Sequence, residues 1–591
     1  MPEYISALDA VIQAFQNDVL NNERKAASEL IRAYAGSWKV IRRELSRLES
    51  EIPRVEAGQL SEMNWFYQNR RLLDLKPLIE SELKKLGEFA TDRVSQEQLR
   101  AIESASEYQR DLMVLGMGGL YDIPEALRIR TLPTEQIAAM VGMNQVGSPL
   151  RSLFDGLTIG GGEIASDILS EAVTMGYNPR KVAPKLMDAF GMMLNRALTI
   201  SRTEVMRAGH VATQKNYEAN ADVVKSWRWH AHPDGLTCPT CMVMHGTIHP
   251  VTERLASHPN CRCVEIPETI SWEELGAMYG LDLSGITPGS AEFDAVAKKY
   301  NLSEKQIQQH NFSKMKGTDY IGNMSPDKQI GLLGPGKWVA WRNGDITLEQ
   351  MVQETWSPVW GKGLAAVALR GVIGSDTVKS YVQLGREYAR IVSASPTATA
   401  EARAEAVRLL ERYAKAEPGV TNLLKSLVEG AGGRMEGLKN RLKGEDSLAR
   451  KITSIGIEEG ITPRNAAGTM RDVIRYTGIF KGEELVQKAK GISDSLKGEG
   501  WQVLKVRNYF GGGGNYEGLH FVFGNGKIQM EMQFHTEESF RIKMANHYDY
   551  EVYRTTGASK VIKTWTDSLM MDNWAGFTPP DGYGNVNNFG D

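Results

Sequence analysis

Every cysteine of the 591-residue chain falls in one window, at Cys238, Cys241, Cys261 and Cys263. A CxxC pair, a spacer of about twenty residues and a CxC pair preceded by His258 have the spacing of metal ligands. Thiolates are soft donors, and Zn²⁺ takes four of them, or three plus an imidazole, in a tetrahedron. So short a window buries too little apolar surface to hold its own shape, and a metal crosslink would supply the missing stability. A disulfide pair or four free buried thiols are the alternatives, although a Cys261–Cys263 disulfide would close too tight a loop for relaxed geometry. The expected ligands are three or four of Cys238, Cys241, His258, Cys261 and Cys263, and spacing alone does not choose among them. His230, His232, His245 and His249 crowd the same window. With two ligand pairs already present, they are expected at the surface or behind the ligands. A catalytic zinc keeps one position open to water, so four thiols point to a closed, structural site.

A second constellation lies downstream. Residues 433–452 are rich in Arg and Lys, and Arg441, Lys443, Ser447 and Lys451 follow the spacing RxKxxxSxxxK. On a helix Ser447 and Lys451 share a face, which could hold a polyphosphate with the serine donating a hydrogen bond. A solvated basic helix face is the plainer meaning of such a run. The strand expected over 471–480 opens with Asp472, another is expected over 501–510, and GLHFVF and KIQMEMQFHT flank a GNGK hairpin signal. By the strand period of two, Ile528, Met530, Met532 and Phe534 form a core face, while Lys527, Gln529, Glu531, Gln533 and His535 form a polar row.

The elements that carry these residues are mostly helical. Ile5, Leu8, Ile12, Phe15 and Val19 recur at helical spacing, as do Trp38, Ile41, Leu45, Leu48 and Ile52, before Pro53 interrupts. Three glycines and a proline within 113–124 mark a boundary. TLPTEQIAAMV reads as a capped helix start. The GLTIGGGE segment lacks the Lys-Ser/Thr of a phosphate-binding loop and follows no clear strand, so a turn is expected there. In the long helix that follows, Arg202, Glu204 and Arg207 are placed to pair across one turn. WRW then reads as a short strand leading into the cysteine window. Residues 363–430 read as a helical spacer whose last helix has Ala406, Leu409, Leu410 and Tyr413 on one side and is stopped by Pro418-Gly419.

Composition bounds the rest. The chain is long enough for roughly three to five domains. Its net charge of −3 gives no overall field for gripping nucleic acid, leaving only local basic patches. Scarce, clustered cysteine argues against a disulfide-stapled secreted protein. No apolar run approaches the length of a membrane span, and the first residues carry no signal pattern, so folding in a cytoplasm is expected.

The segments ISRTEVMRAGH, DGLTCPTCMVMHGTIHP and HPNCRCVEIP, in that order, resemble the Mu F-like head-morphogenesis family of tailed-phage minor head proteins. The resemblance covers roughly 130–270 and extends through YIGNMSPDKQIGLLGPGKWVAWRNGDITLEQMV. It implies a low-copy component inside the phage head, near the portal, with portal, capsid and scaffold proteins as partners and phage DNA nearby. It also implies a virion location, after synthesis in the host cytoplasm, with ejection into the host as a further implication.

The C-terminal segments resemble the RelA/SpoT nucleotidyltransferase domain of alarmone synthetases. RLKGEDSLARK matches the family's ATP-binding block, Asp472 its metal-binding aspartate, NYEGLH with Tyr516 and His520 its Tyr-x-Ser/Gly-Leu-His block, and EMQFHT with Glu531 its Glu-x-Gln block. The departures are Arg475 and Thr477 in the first strand and His535 after the Glu-x-Gln block. The resemblance implies a Mg²⁺-dependent pyrophosphokinase. Arg441, Lys443 and Lys451 would neutralise ATP phosphates, Asp472 and Glu531 would hold Mg²⁺, and Tyr516 would stack on an acceptor base. Two alternatives stand: a purely structural virion protein with an inactive C-terminal fold, or a C-terminal nucleic-acid-binding or nuclease surface using His520 and His535.

The expected fold is multidomain α+β. It comprises a helical region over 1–125, a head-morphogenesis core over 126–270 with a zinc module at 226–267, and an extension over 271–362. A helical spacer over 363–430, a RelA/SpoT-like mixed α/β domain over 431–570 and a tail over 571–591 complete it.

Overall fold

Long amphipathic helices build the first part of the chain in the computed structural model. The structure describes residues 7–51, 71–117, 129–143, 149–175, 177, 179–231, 237–280, 291–304, 306, 316–357, 360–393, 398–555 and 557–588. The expectations placed on Ile5, Ile52, Pro53 and His232 lie outside these residues, as does most of the 113–124 boundary.

The chain forms two compact units: residues 1–323 with 347–368, and residues 324–346 with 369–591. In the first, α1 (Ala7–Glu51), α2 (Leu75–Gly116), α4 (Pro149–Met175) and α5 (Pro179–Ala219) pack as a bundle, with α3 (Thr134–Val141) on its flank. The buried positions of α5 show why: Val182, Leu186, Phe190, Met193, Ala197 and Ile200 recur every three or four residues and fill one core with their counterparts on α1, α2 and α4. α3 has Pro133 at its N-cap and no side-chain cap bond, so the capped start expected from TLPT is supplied by backbone alone.

The glycine run expected to form a turn lies inside α4. Its reason is packing: a Cβ on Gly161 would stand 2.0 Å from the Met193 sulfur of α5, and one on Gly87 of α2 would stand 2.8 Å from Thr158 of α4. The glycines let these helices approach closely, at a cost in helix propensity that burial offsets.

Beyond α5, a three-stranded antiparallel sheet has the order β2-β1-β3, with β1 at Val224–His230, β2 at Ile248–Pro250 and β3 at Val264–Thr269. Trp227 and Trp229 of β1, two residues apart on one face, are both 1 % exposed and pack with Cys241, Cys261 and Cys263. The hairpin β4 (Val352–Ser357) and β5 (Gly361–Ala366) returns to this unit, and Leu364 joins the same cluster.

In the second unit α7 (Pro335–Arg342) and α8 (Ser375–Ser393) precede α9 (Ala400–Gly430). α9 was expected as a spacer stopped at Pro418, but it continues through Pro418 to Gly430. Val420, Leu424 and Val428 beyond the proline are buried in the same core as Ala406, Leu409 and Tyr413 before it. That burial outweighs the roughly 3 kcal/mol that an interior proline costs. A five-stranded sheet follows in the order β6-β7-β10-β9-β8, with β6 at Arg434–Glu436, β7 at Ile474–Ile479, β8 at Gln502–Asn508, β9 at Leu519–Gly524 and β10 at Gln529–His535. Only β7 and β10 pair in parallel. One face carries Ile474, Tyr476, Phe521, Phe523, Met530, Met532 and Phe534 into a core shared with α9, α10 (Glu445–Glu459) and α11 (Leu485–Gly498). α12 (Glu537–Ala545) and α13 (Lys560–Trp574) complete the unit.

Candidate functional site

The cysteine cluster is assembled from two loops. Cys238 caps the short helix α6 (Pro239–Met244), its sulfur accepting the Cys241 N–H at 3.4 Å, so the CxxC pair turns inward at a helix start. The CxC pair lies just before β3. All four cysteines are free, and Cys241, Cys261 and Cys263 are buried. The Cys241 and Cys261 sulfurs are 3.7 Å apart. A tetrahedron of Zn–S bonds of about 2.3 Å has an edge of about 3.8 Å, so this separation fits zinc. His258 Nδ1 is held by the Pro259 carbonyl at 2.9 Å, which leaves Nε2 facing Cys241 and Cys238 at 3.0 and 3.2 Å. The five residues thus form two ligand groups, Cys238–Cys241–His258 and Cys241–Cys261–Cys263, with Cys241 common to both.

Electrostatics divide the thiols: Cys238 and Cys261 are held down, while Cys241 and Cys263 are pushed up by their thiol neighbours and by burial. The hydrogen bond with Cys241, helped by that with His258, outweighs burial and holds Cys238 down at about 4. Burial pulls His258 down, but the bond to Cys238 and the thiolate charge nearby outweigh it and raise the ring to about 9.

His245 and His249 are held by neighbours other than the cysteines. His249 stacks on Trp227 at 4.4 Å and bonds Thr247 and Glu253, and His245 accepts the Ala231 N–H. The sequence did not reveal what ties the motifs together. Arg202 donates to Asn260 at 2.9 Å, and Thr203 accepts the Asn260 N–H at 3.4 Å, at a residue in the left-handed region, φ 65°. Two residues of the RTE helix therefore hold the HPNCRC loop. His210 bonds Glu265 of β3 at 2.8 Å, and Tyr217 donates to the Glu265 carbonyl at 3.1 Å. Of the charge network expected on α5, Arg207 and Glu204 do pair within one turn, while Arg202 reaches out to Glu23 and Asn260.

In the second unit, Asp472 lies two residues before β7 rather than in it. Lys443 and Lys451 both donate to its carboxylate, at 2.5 and 2.7 Å. Burial pushes that carboxyl up, but the two lysines outweigh it and hold it below its ordinary range. Arg441 turns the other way, to Glu417 of α9, and Ser447 is exposed on α10.

Glu531 sits on β10 opposite Arg475 of β7, with His520 Nδ1 at 4.0 Å and Gln533 donating to it. The polar row is covered at one end: Gln533 and His535 are buried. Lys543 of α12 donates to Gln533, and Ser539 of α12 bonds His535 Nδ1 at 2.9 Å. The Tyr516 hydroxyl is held between His520 and His535, with its ring edge-on to Tyr509 and Trp574. Burial, then the cationic charge of Lys543, holds His520 down at about 3 and His535 well below its ordinary value. Lys543, pushed down to about 8 by burial, had no sequence signal.

Among the described residues, neither Asp472 nor Glu531 belongs to a group of three carboxylate, histidine or cysteine ligands within metal range. Asp472 is bound by the two lysines and Glu531 by Gln533.

Residues 163–266, which span α5, β1 and the cysteine cluster, match the family model of Phage Mu protein F like protein. This match supports a Mu F-like phage head-morphogenesis protein. No curated protein and no solved structure matches the chain.

Proposed function

We propose that the chain is a minor head protein of a tailed phage, built into the head during procapsid assembly near the portal, and that its cysteine cluster holds one structural zinc. The observation that carries this reading is the coincidence of the family match with the cluster it encloses. Cys238, Cys241, Cys261 and Cys263 would supply four thiolates, with His258 hydrogen-bonded against Cys238 and Cys241 from outside. A bound zinc would crosslink α6 to the loop before β3, a folding role with no open position for chemistry.

Mass spectrometry of purified procapsids and virions tests the assembly role. The chain is expected in both at a few copies per particle, and absence from both would overturn the role. Metal analysis of the purified chain tests the cluster. One zinc per chain is expected, lost in Cys241→Ser and retained in His258→Gln. Zinc retained by Cys241→Ser would refute the ligand assignment.

A second reading is favoured by one observation, the convergence of Lys443 and Lys451 on Asp472 at the start of β7. In this reading the two lysines exchange Asp472 for the phosphates of ATP, and the unit transfers pyrophosphate to a nucleotide or RNA 3′-hydroxyl in the host, as the RelA/SpoT resemblance implies. Labelled ATP with Mg²⁺ and GDP, GTP or tRNA, added to the full chain, should then give a pyrophosphorylated product that Glu531→Gln lacks. No product, or equal product from that variant, would reject it.

A further inference from the structure

We propose that a pocket beside the cysteine cluster, between α5 and the 254–259 loop, is a binding site for a single phosphate-like oxyanion. Its wall includes Thr203, Arg207 and His210 from α5, Arg254 and Ser257 from the loop, and Trp360 from the β4–β5 hairpin. Among the described residues, no carboxylate lines it.

Three features of these residues call for an anion. Arg254 is a largely enclosed cation whose hydrogen-bond partner is a neutral group, the Trp360 carbonyl at 3.3 Å, and among the described residues it has no carboxylate ion pair. Burial and the neighbouring Arg207 work against its charge, and they outweigh the support it receives from Glu265 and Glu204, neither of which pairs with it directly. An enclosed cation with no carboxylate in direct contact is costly, and a bound oxyanion lowers that cost. His210 is 3 % exposed, its Nδ1 is taken by Glu265, and its Nε2 has no partner. Because His210 lines the pocket, that free nitrogen is the polar atom it has left to offer there. Arg207, although paired with Glu204, adds a second guanidinium to the wall, and Thr203 and Ser257 add hydroxyls. Guanidinium, imidazole and hydroxyl groups around one point are the set that recognises tetrahedral oxyanions.

Size restricts the occupant. The recess, of about 20 Å³, holds one small group, and any larger part of an occupant lies outside it. The occupant is therefore a free phosphate or one phosphodiester of a nucleic-acid backbone.

The test uses the full-length chain in a phosphate-free buffer at fixed ionic strength. Inorganic phosphate is titrated and followed by ³¹P line broadening, with chloride as the ionic-strength control. Saturable broadening is expected, weakened about tenfold or more in Arg254→Gln. Should that variant not fold, Arg254→Lys, which keeps the charge but loses the planar fork, is expected to bind several-fold more weakly. Broadening that does not saturate, or that is equal in the variants, overturns the proposal. A short oligonucleotide that displaces phosphate would identify a backbone phosphodiester as the occupant, and failure to displace it would identify the free ion.

Discussion

Buried histidine in a polar row sets the acid response of the second unit. His520 is held down at about 3 and His535 well below the ordinary value of 6.5. Between 6.5 and these lowered values the unfolded chain binds protons that the fold refuses. Their contribution is therefore intact above pH 6.5 and is lost as pH falls, by up to about 1.4 kcal/mol per pH unit for each ring. Asp472, lowered by its lysines, contributes fully above the ordinary carboxylate range and fails only below about pH 4. Urea midpoints measured at pH 7 and pH 5 should thus fall steeply, and a His520→Gln/His535→Asn double variant should show a flatter slope even if it is less stable throughout. An unchanged slope would remove the histidines as the cause. In the first unit, the buried Tyr217 hydroxyl joins Gln109 to the Glu265 carbonyl. Tyr217→Phe removes the donor to the buried Gln109 Oε1 and should cost about 1–3 kcal/mol in chemical denaturation. The cysteine site was legible at this scale because ligand spacing is local. The burial of His535 was not legible, because α12 closes over the polar row through tertiary packing that strand periodicity does not encode.

At the scale of elements, the glycine run in α4 separates intrinsic propensity from packing. Gly156 faces open space, and a Cβ there meets nothing within 4 Å, so Gly156→Ala should gain about 0.5–1 kcal/mol from helix propensity. Gly161→Ala should lose about 1–3 kcal/mol, because its Cβ displaces the buried Met193. Thermal melts of the two variants should move in opposite directions; a gain from both would mean that α4 and α5 are not in close contact at Gly161. The same competition explains why Pro418 was expected to end a helix that continues past it. Local signals measure what a segment prefers alone, and buried residues on both sides of the proline decide otherwise. The strands of the second sheet were legible because alternation and the GNGK turn agree with the packing they enter. That Lys443 and Lys451 converge on Asp472 was not, since nothing in a basic run states which carboxylate it will meet.

For the whole molecule, two cores with different dependences predict two separable responses. Chelation should destabilise the unit holding the cysteine cluster, whereas mild acid should act on the unit holding His520 and His535. Calorimetry of the full chain should resolve more than one transition, with EDTA lowering one of them and pH 5 another. A chelator that shifts every transition equally would show that the two units unfold together.

The path of the chain has a practical consequence. Residues 324–346 fold with the second unit, where Trp338 packs on Tyr388 at 4.7 Å and Arg342 bonds Asp549 at 2.6 Å, yet residues 347–368 fold with the first. The backbone therefore passes between the units three times, like a thread through a seam. No single scissile bond releases both units whole. A cut at 323 strips the first unit of Trp360 and Leu364, while a cut at 368 leaves the helix bearing Trp338 attached to the wrong fragment. A protease that nicks either junction should leave two fragments that stay together until denatured, and a gene cut at either point should yield an incomplete half.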